Sequence, residues 1–351
     1  MHDIDELRTY ALLHARAQGL PAATTERTLA AVVDDGDGPA SWTQVWSAEG
    51  RRALTARRPL QAAACFNLAR FPVVDSPARR EALRACIEAV DVWRRGHPAV
   101  RRRTLPTDDG AFDYYLRPAR RPGRALVVLL GGIVSLKEQW APLIPAVARL
   151  GYAVAVTELP GVGSNRTLYT ADAHRQLSRV IDDAGTVQPV SGCLVVGMRF
   201  GGHLALRAAL RDERIRGVAT VGAPLTGFFE PDHRPPVPRI TRDVLAVLTG
   251  TDADRLPGAL AGWGLRPDEL ARLRIPVRYV ASARDEIVPQ QDAADLARWA
   301  PDVRIRRFDD VHGSPDHVAA TRRFLIGFLL GRRRPTLPLR PARAPDRGVA
   351  R

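Results

Sequence analysis

The chain has 351 residues, of which 45% are hydrophobic and 26% charged, and no run approaches 18 apolar residues. That length and balance describe a globular protein with one large and one accessory domain, and no membrane span is expected. The formal net charge of +14 raises nucleic-acid binding, but seven arginines against Asp346 alone stand in residues 331–351, and the other basic residues lie among acidic neighbours. No aromatic residues interleave with the basic ones as a stacking platform would need, so nucleic acid is not an expected partner.

The first residues, Met1-His2-Asp3-Ile4-Asp5-Glu6, lack the apolar core of a secretory signal. Cys65, Cys86 and Cys193 stand apart in apolar contexts and read as small core residues of a reducing, cytoplasmic protein. Of 52 basic residues, 51 are arginine, which leaves Lys137 as the single lysine.

Residues 1–105 show helical periodicity and no strand-like run. Leu83, Cys86, Ile87, Val90 and Trp93 form one apolar stripe, Leu60–Phe71 reads as a helix ended by Pro72, and Ser76-Pro77 starts the next. From about 106 to 331 strands alternate with helices. The apolar runs Ala125–Leu130, Ala153–Thr157, Cys193–Gly197, Val218–Gly222, Val277–Ser282 and Val303–Phe308 are short and nearly continuous, as in a mainly parallel sheet covered on both faces. An insertion at about 225–273, with Pro235-Pro236 and amphipathic pieces, reads as a lid. Residues 332–351 form a basic Pro/Arg-rich tail expected to be disordered.

Three segments carry the chemistry. "CLVVGMRFGGHLALRAAL" (residues 193–210) is a strand, a glycine turn and a helix: the setting of a G-x-S-x-G nucleophile elbow, with Arg199 at the nucleophile's place. "VASARDEIVPQQDA" puts Asp285 just past a strand, and "VRIRRFDDVHGSPDH" puts His312 past the last one. The chain order elbow, Asp, His is that of α/β-hydrolases. His317 is a weaker rival because it falls inside the following helix. "VVLLGGIVSLKEQW" places Gly132 and Ile133 after the first central strand as oxyanion donors, with the amide of Phe200 and the cation of Lys137 as further candidates for binding substrate. The fold class read from these elements is α/β: an α/β-hydrolase fold, with a mainly parallel central sheet flanked by helices, an N-terminal helical domain and a lid-like insertion.

The order of GG-x-x-S-x-KE after a strand, then the "ELPGVGSN" loop, then G-x-R-F-G-G resembles the fermentation–respiration switch (FrsA-like) proteins. These are relatives of polyketide-shortening pigment hydrolases and pseudooxynicotine hydrolases. The likeness covers roughly residues 50–330 and includes the helical stretch "AACFNLARFPVVDSPARREALRACIEAVDVW". Val134 departs from it where an acidic residue is frequent. The resemblance extends to arginine at the elbow, and it implies an esterase, a keto-acid decarboxylase or a regulatory binding protein.

Arginine has no lone pair free for attack and stays protonated, so an acyl-enzyme at residue 199 is excluded. What it offers is a cationic fork for a carboxylate or enolate. Two readings follow. One is an enzyme using no cofactor or metal, with Arg199 as anion clamp and His312–Asp285 as base and orienter, acting on a small anionic carbonyl or acyl substrate by hydrolysis, C–C cleavage or lyase chemistry. The alternative is a catalytically silent binding or regulatory protein. A guanidinium saturated by Asp285 favours silence, and a free one favours chemistry. A homodimer is compatible with the sequence.

Overall fold

A computed structural model of the chain describes residues 2–107, 110–230 and 237–331. Five helices come first: α1 (Ile4–Ala17), α2 (Ala22–Ala30), α3 (Trp42–Thr55), α4 (Pro59–Ala69) and α5 (Pro77–Arg95). Local chemistry starts two of them. Asp3 accepts the amides of Asp5 and Glu6 ahead of α1, and Ser76 Oγ accepts the Arg79 amide at 3.2 Å ahead of Pro77. α4 is buried from Ala62 to Ala69 and packs between α3 and α5. Its apolar surface on all sides makes it the core helix of this layer.

The sequence reading needs correction at residues 101–117. They form an antiparallel pair, β1 (Arg101–Thr107) and β2 (Gly110–Arg117), where helical character was expected to about 105 and no strand before Ala125. "RRRTLPT" hides because it is an edge strand: its arginines face solvent, and Pro106 costs no ladder bond there.

The α/β region then runs β3 (Leu126–Leu130), α6 (Lys137–Trp140), α7 (Ile144–Ala148), β4 (Ala153–Thr157), α8 (Arg175–Val187), β5 (Cys193–Met198), α9 (Phe200–Ala209) and β6 (Ile215–Val221). After the insertion, which holds α10 (Arg239–Thr249), α11 (Leu256–Leu260) and α12 (Pro267–Arg272), come β7 (Val277–Ser282), α13 (Gln290–Trp299), β8 (Val303–Phe308) and α14 (Val318–Gly331). The eight strands form one sheet in the order β1-β2-β4-β3-β5-β6-β7-β8, parallel from β4 to β8. Every residue of β3 and β4 is buried, which is why their sequences carry no polar alternation. The fold class expected from the sequence is the one observed. Among the described residues no helix is long and apolar enough to cross a membrane.

Buried polar groups tie the insertion down. Asp292 of α13, fully buried, accepts the amides of Leu225 and Phe228 where the insertion begins. Further along, the Trp263 carbonyl accepts His203 Nε2 at 2.9 Å and Arg207 Nη1 at 2.8 Å from α9. Pro235-Pro236 and the basic tail lie outside the described residues. The helical layer is fastened across the sheet's C-terminal edge. Glu6 Oε1 of α1 accepts the Ile240 amide of α10 at 3.0 Å, and Arg16 pairs with Asp316 at 2.9 Å.

His203 links packing to pH. It is buried, its Nε2 must carry the hydrogen given to Trp263, and Nδ1 has no partner among the described residues, so the ring is neutral. Burial pushes its pKa down to about 3. A folded pKa below the unfolded value of about 6.5 means that the unfolded chain takes the extra proton first. The stability from this group is therefore complete above about pH 6.5 and is lost on acidification, at up to about 1.4 kcal/mol per pH unit. Asp292, pushed up to about 6 by burial, acts in the opposite sense over part of that window. The comparison between variants is then diagnostic: between pH 6.5 and 4, Tm should fall more steeply for wild type than for His203→Gln in parallel thermal melts.

Candidate active site

The turn between β5 and α9 is the most constrained backbone at the sheet's C-terminal edge. Arg199 has φ 54° and ψ −123°, a conformation that costs a non-glycine residue about 1–3 kcal/mol and that marks a nucleophile elbow. Its amide donates to the Val221 carbonyl at 2.9 Å, which hooks the turn to the end of β6. Glycine is required by close approach. A Cβ on Gly201 would stand 2.4 Å from the Gly131 carbonyl oxygen, and one on Gly132 would stand 3.1 Å from Arg199 Cβ. The elbow and the turn after β3 thus approach each other closely at Gly201 and Gly132.

Two backbone amides at these turns, those of Ile133 and Phe200, donate to no acceptor among the described residues. Phe200 is the first residue of α9, where amides lack an intrahelical partner and carry the positive end of the helix dipole. Its ring is buried among Tyr169, Phe228 and Phe229.

Asp285 follows β7 and His312 follows β8, and the fold brings them together. His312 Nδ1 lies 2.8 and 3.0 Å from the two Asp285 oxygens. Asp285 Oδ1 also accepts the amides of Ile287 (3.0 Å) and Val288 (2.9 Å). Burial acts to raise this carboxyl, but His312 and the two amides outweigh it and hold it below its usual range. An ionised Asp285 can only accept, so Nδ1 carries the hydrogen and Nε2 the lone pair. Glu286 steadies the loop by accepting the His312 amide at 3.0 Å.

The Arg199 side chain reaches from the elbow to the histidine loop. A Cβ on Gly313 would stand 2.3 Å from its Nη2. Among the described residues the guanidinium has no hydrogen-bond acceptor and no ion-pair partner, and it is partly exposed. Asp285 is committed to His312. Burial lowers the guanidinium pKa while Asp285 and Glu286 oppose it, and the group remains a cation. His317 lies in a 3-10 turn, not in the following helix; it is bound to Asp310 at 2.8 Å and stacked on Phe308, away from this constellation.

Lys137 needs correction. Read as a substrate-binding cation, it is 1% exposed and enclosed by Glu138 (3.0 Å), Glu158 (3.1 Å) and Ser164 Oγ (2.7 Å). Burial lowers its pKa, but the two carboxylates dominate and hold it above the usual range. Its role is architectural. Glu158 accepts the Lys137 amide at 3.0 Å and the Ser164 amide at 2.9 Å, so one buried carboxylate joins the loops after β3 and β4. Tyr115 OH donates to Glu138 at 3.1 Å from β2.

Two residues had no role in the sequence reading. Glu158 is the acid of "ELPGVGSN", visible as a motif letter but not as the carboxylate that closes round Lys137. Arg70, at the end of α4, is 2% exposed and donates to Asn67, Pro72 O and Val134 O, reaching from the helical layer to the oxyanion loop. Among so many arginines nothing in the charge pattern marks it.

Comparison with known proteins agrees with this fold. Residues 125–271 match the family model described as alpha/beta hydrolase fold. The chain is similar to the solved structure of AbyA5, at 42% identity and a TM-score of 0.89 over 94% of both chains. It has the fold of a 2,6-dihydroxy-pseudo-oxynicotine hydrolase, with a TM-score of 0.75 at 18% identity over 91% of this chain and 95% of that one. The magnesium-chelatase 30 kDa subunit of Rhodobacter capsulatus is 27% identical over 263 residues, which is 63% of this chain and 90% of that one.

Lys137→Met should leave two carboxylates buried without their cation and destabilise the protein by roughly 3–5 kcal/mol, read as a lower denaturant midpoint. Glu158, whose carboxyl burial raises, tolerates neutral substitution better. Glu158→Gln should lose clearly less than Lys137→Met in the same titration.

Proposed function

The chain belongs to the α/β-hydrolase superfamily, and we propose that it is an enzyme of that fold working without a serine nucleophile. Its substrate in this reading is a small anionic carbonyl or acyl compound. The reaction is cofactor-independent hydrolysis, C–C cleavage or lyase chemistry, driven by proton transfer. The observation that carries the reading is the Arg199 guanidinium, without a partner among the described residues and held at a strained elbow beside a histidine already oriented by Asp285.

The roles follow from position. Arg199 binds the substrate's anionic group as a fixed fork. His312 Nε2 takes a proton, from substrate carbon or from a water molecule, while Asp285 stabilises the resulting imidazolium. Charge that develops on a carbonyl oxygen is met by the Ile133 and Phe200 amides, dipoles already in place before reaction. Hydrolysis by this route lacks a covalent intermediate and is slower than serine-type esterolysis. Arginine at the elbow favours the fermentation–respiration switch subfamily. Three free, buried cysteines support a cytoplasmic setting.

The test is a screen of wild type and variants across small carboxylates and acyl esters. His312→Ala should lower turnover by roughly 10²–10⁴ with Tm nearly unchanged, and unaltered turnover would sink the assignment. Arg199→Ser should lose the native reaction and acquire p-nitrophenyl ester hydrolysis. Equal esterolysis by wild type and Arg199→Ser would remove Arg199 from the chemistry.

A further inference from the structure

α1 lies across the mouth of this site. It is tied at one end to the lid-like insertion (Glu6 to the Ile240 amide, 3.0 Å) and at the other to the segment after the catalytic histidine (Arg16 to Asp316, 2.9 Å). The ten residue steps from Glu6 to Arg16 span about 15 Å of helix. Glu6, Tyr10 and His14 recur at i, i+4 and so form one stripe on that helix. With the first of them fixed on the insertion, the other two stand between the ties, over the site. His14 also packs on Phe71, next to the Arg70 that holds the oxyanion loop (ring centroids 5.0 Å apart).

The charges that act on these two side chains are those of the site. For Tyr10 they are Glu286, Glu6, Arg199 and Asp285; for His14 they are Arg199 and Arg70. Both side chains are partly exposed, and among the described residues neither the phenol nor the imidazole has a hydrogen-bond partner. Two polar groups with unused hydrogen-bonding capacity thus sit within the electrostatic reach of Arg199. Both are uncharged at neutral pH. Burial, then the nearby carboxylates, raise the phenol, and burial together with the Arg199 and Arg70 cations pushes the imidazole down to about 3.

We propose that Tyr10 and His14 form a neutral subsite that hydrogen-bonds an uncharged oxygen function of the substrate, a hydroxyl or ketone, while Arg199 holds its anionic end. The proposal rests on the anion clamp of the preceding section. It makes the substrate bifunctional and the N-terminal helix part of specificity. Uncharged partners suit this task, because a neutral donor–acceptor pair recognises a neutral oxygen without adding a second charge to the clamp. A site built to hydrogen-bond an oxygen discriminates strongly against the analogue lacking it, since its own polar groups are then left unpaired.

The experiment uses the full-length protein and three matched probes: hexanoate, 3-hydroxyhexanoate and 3-oxohexanoate. Affinity is measured by calorimetry for wild type, Tyr10→Phe, His14→Leu and Arg199→Met. Wild type should bind an oxygenated probe about 10-fold more tightly than hexanoate. Tyr10→Phe and His14→Leu should each reduce that preference and leave hexanoate binding unchanged, with melting temperatures near that of wild type. Discrimination retained in both variants, or absent in wild type that binds hexanoate, overturns the subsite alone. Failure of wild type to bind any probe, or binding indifferent to Arg199→Met, overturns the clamp and the subsite with it.

Discussion

Two glycine turns approach each other more closely than side chains permit, and the site depends on that approach. Gly201 leaves the Gly131 carbonyl its room, and Gly132 does the same for the Cβ of Arg199. That approach lets the turn after β3 pack against the turn between β5 and α9, where residue 199 is held at φ 54°. The energy stored in that conformation is small beside the sheet packing that imposes it. What it achieves is direction: whatever side chain occupies 199 projects over the C-terminal ends of the strands, toward the histidine loop.

An arginine in that place changes the chemistry but keeps the frame. The guanidinium extends to lie against Gly313, and Asp285 stays bonded to His312 rather than to the cation. Among the described residues the guanidinium has no carboxylate partner, and the proposed mechanism rests on that separation of the cation from the His312–Asp285 pair.

The support beneath these groups is a buried charge network. One lysine enclosed by two glutamates locks the loop after β3 to the loop after β4, and Arg70 extends the same stiffening to the helical layer. Such networks are poor sources of net stability but good sources of register, because breaking one member leaves charge in a low-dielectric interior. The N-terminal helices are fastened to the lid and to the histidine loop, so they belong to the site's walls.

The sequence by itself determined the sheet's buried strands, the elbow and the order of Asp285 and His312. These are local signals: apolar runs, glycine pairs and short motifs whose residues are neighbours in the chain. It did not disclose β1, since an edge strand faces water and needs no apolar pattern. Nor did it separate Lys137 from the substrate groups. A lysine beside an oxyanion loop reads as a ligand until Glu158, 21 residues on, is seen to enclose it. The pairing of His312 with Asp285 and the ties of α1 to Ile240 and Asp316 join residues up to several hundred positions apart. Only tertiary packing decides such contacts, because burial and charge compensation depend on what lies nearby in space and not on what lies nearby in the chain.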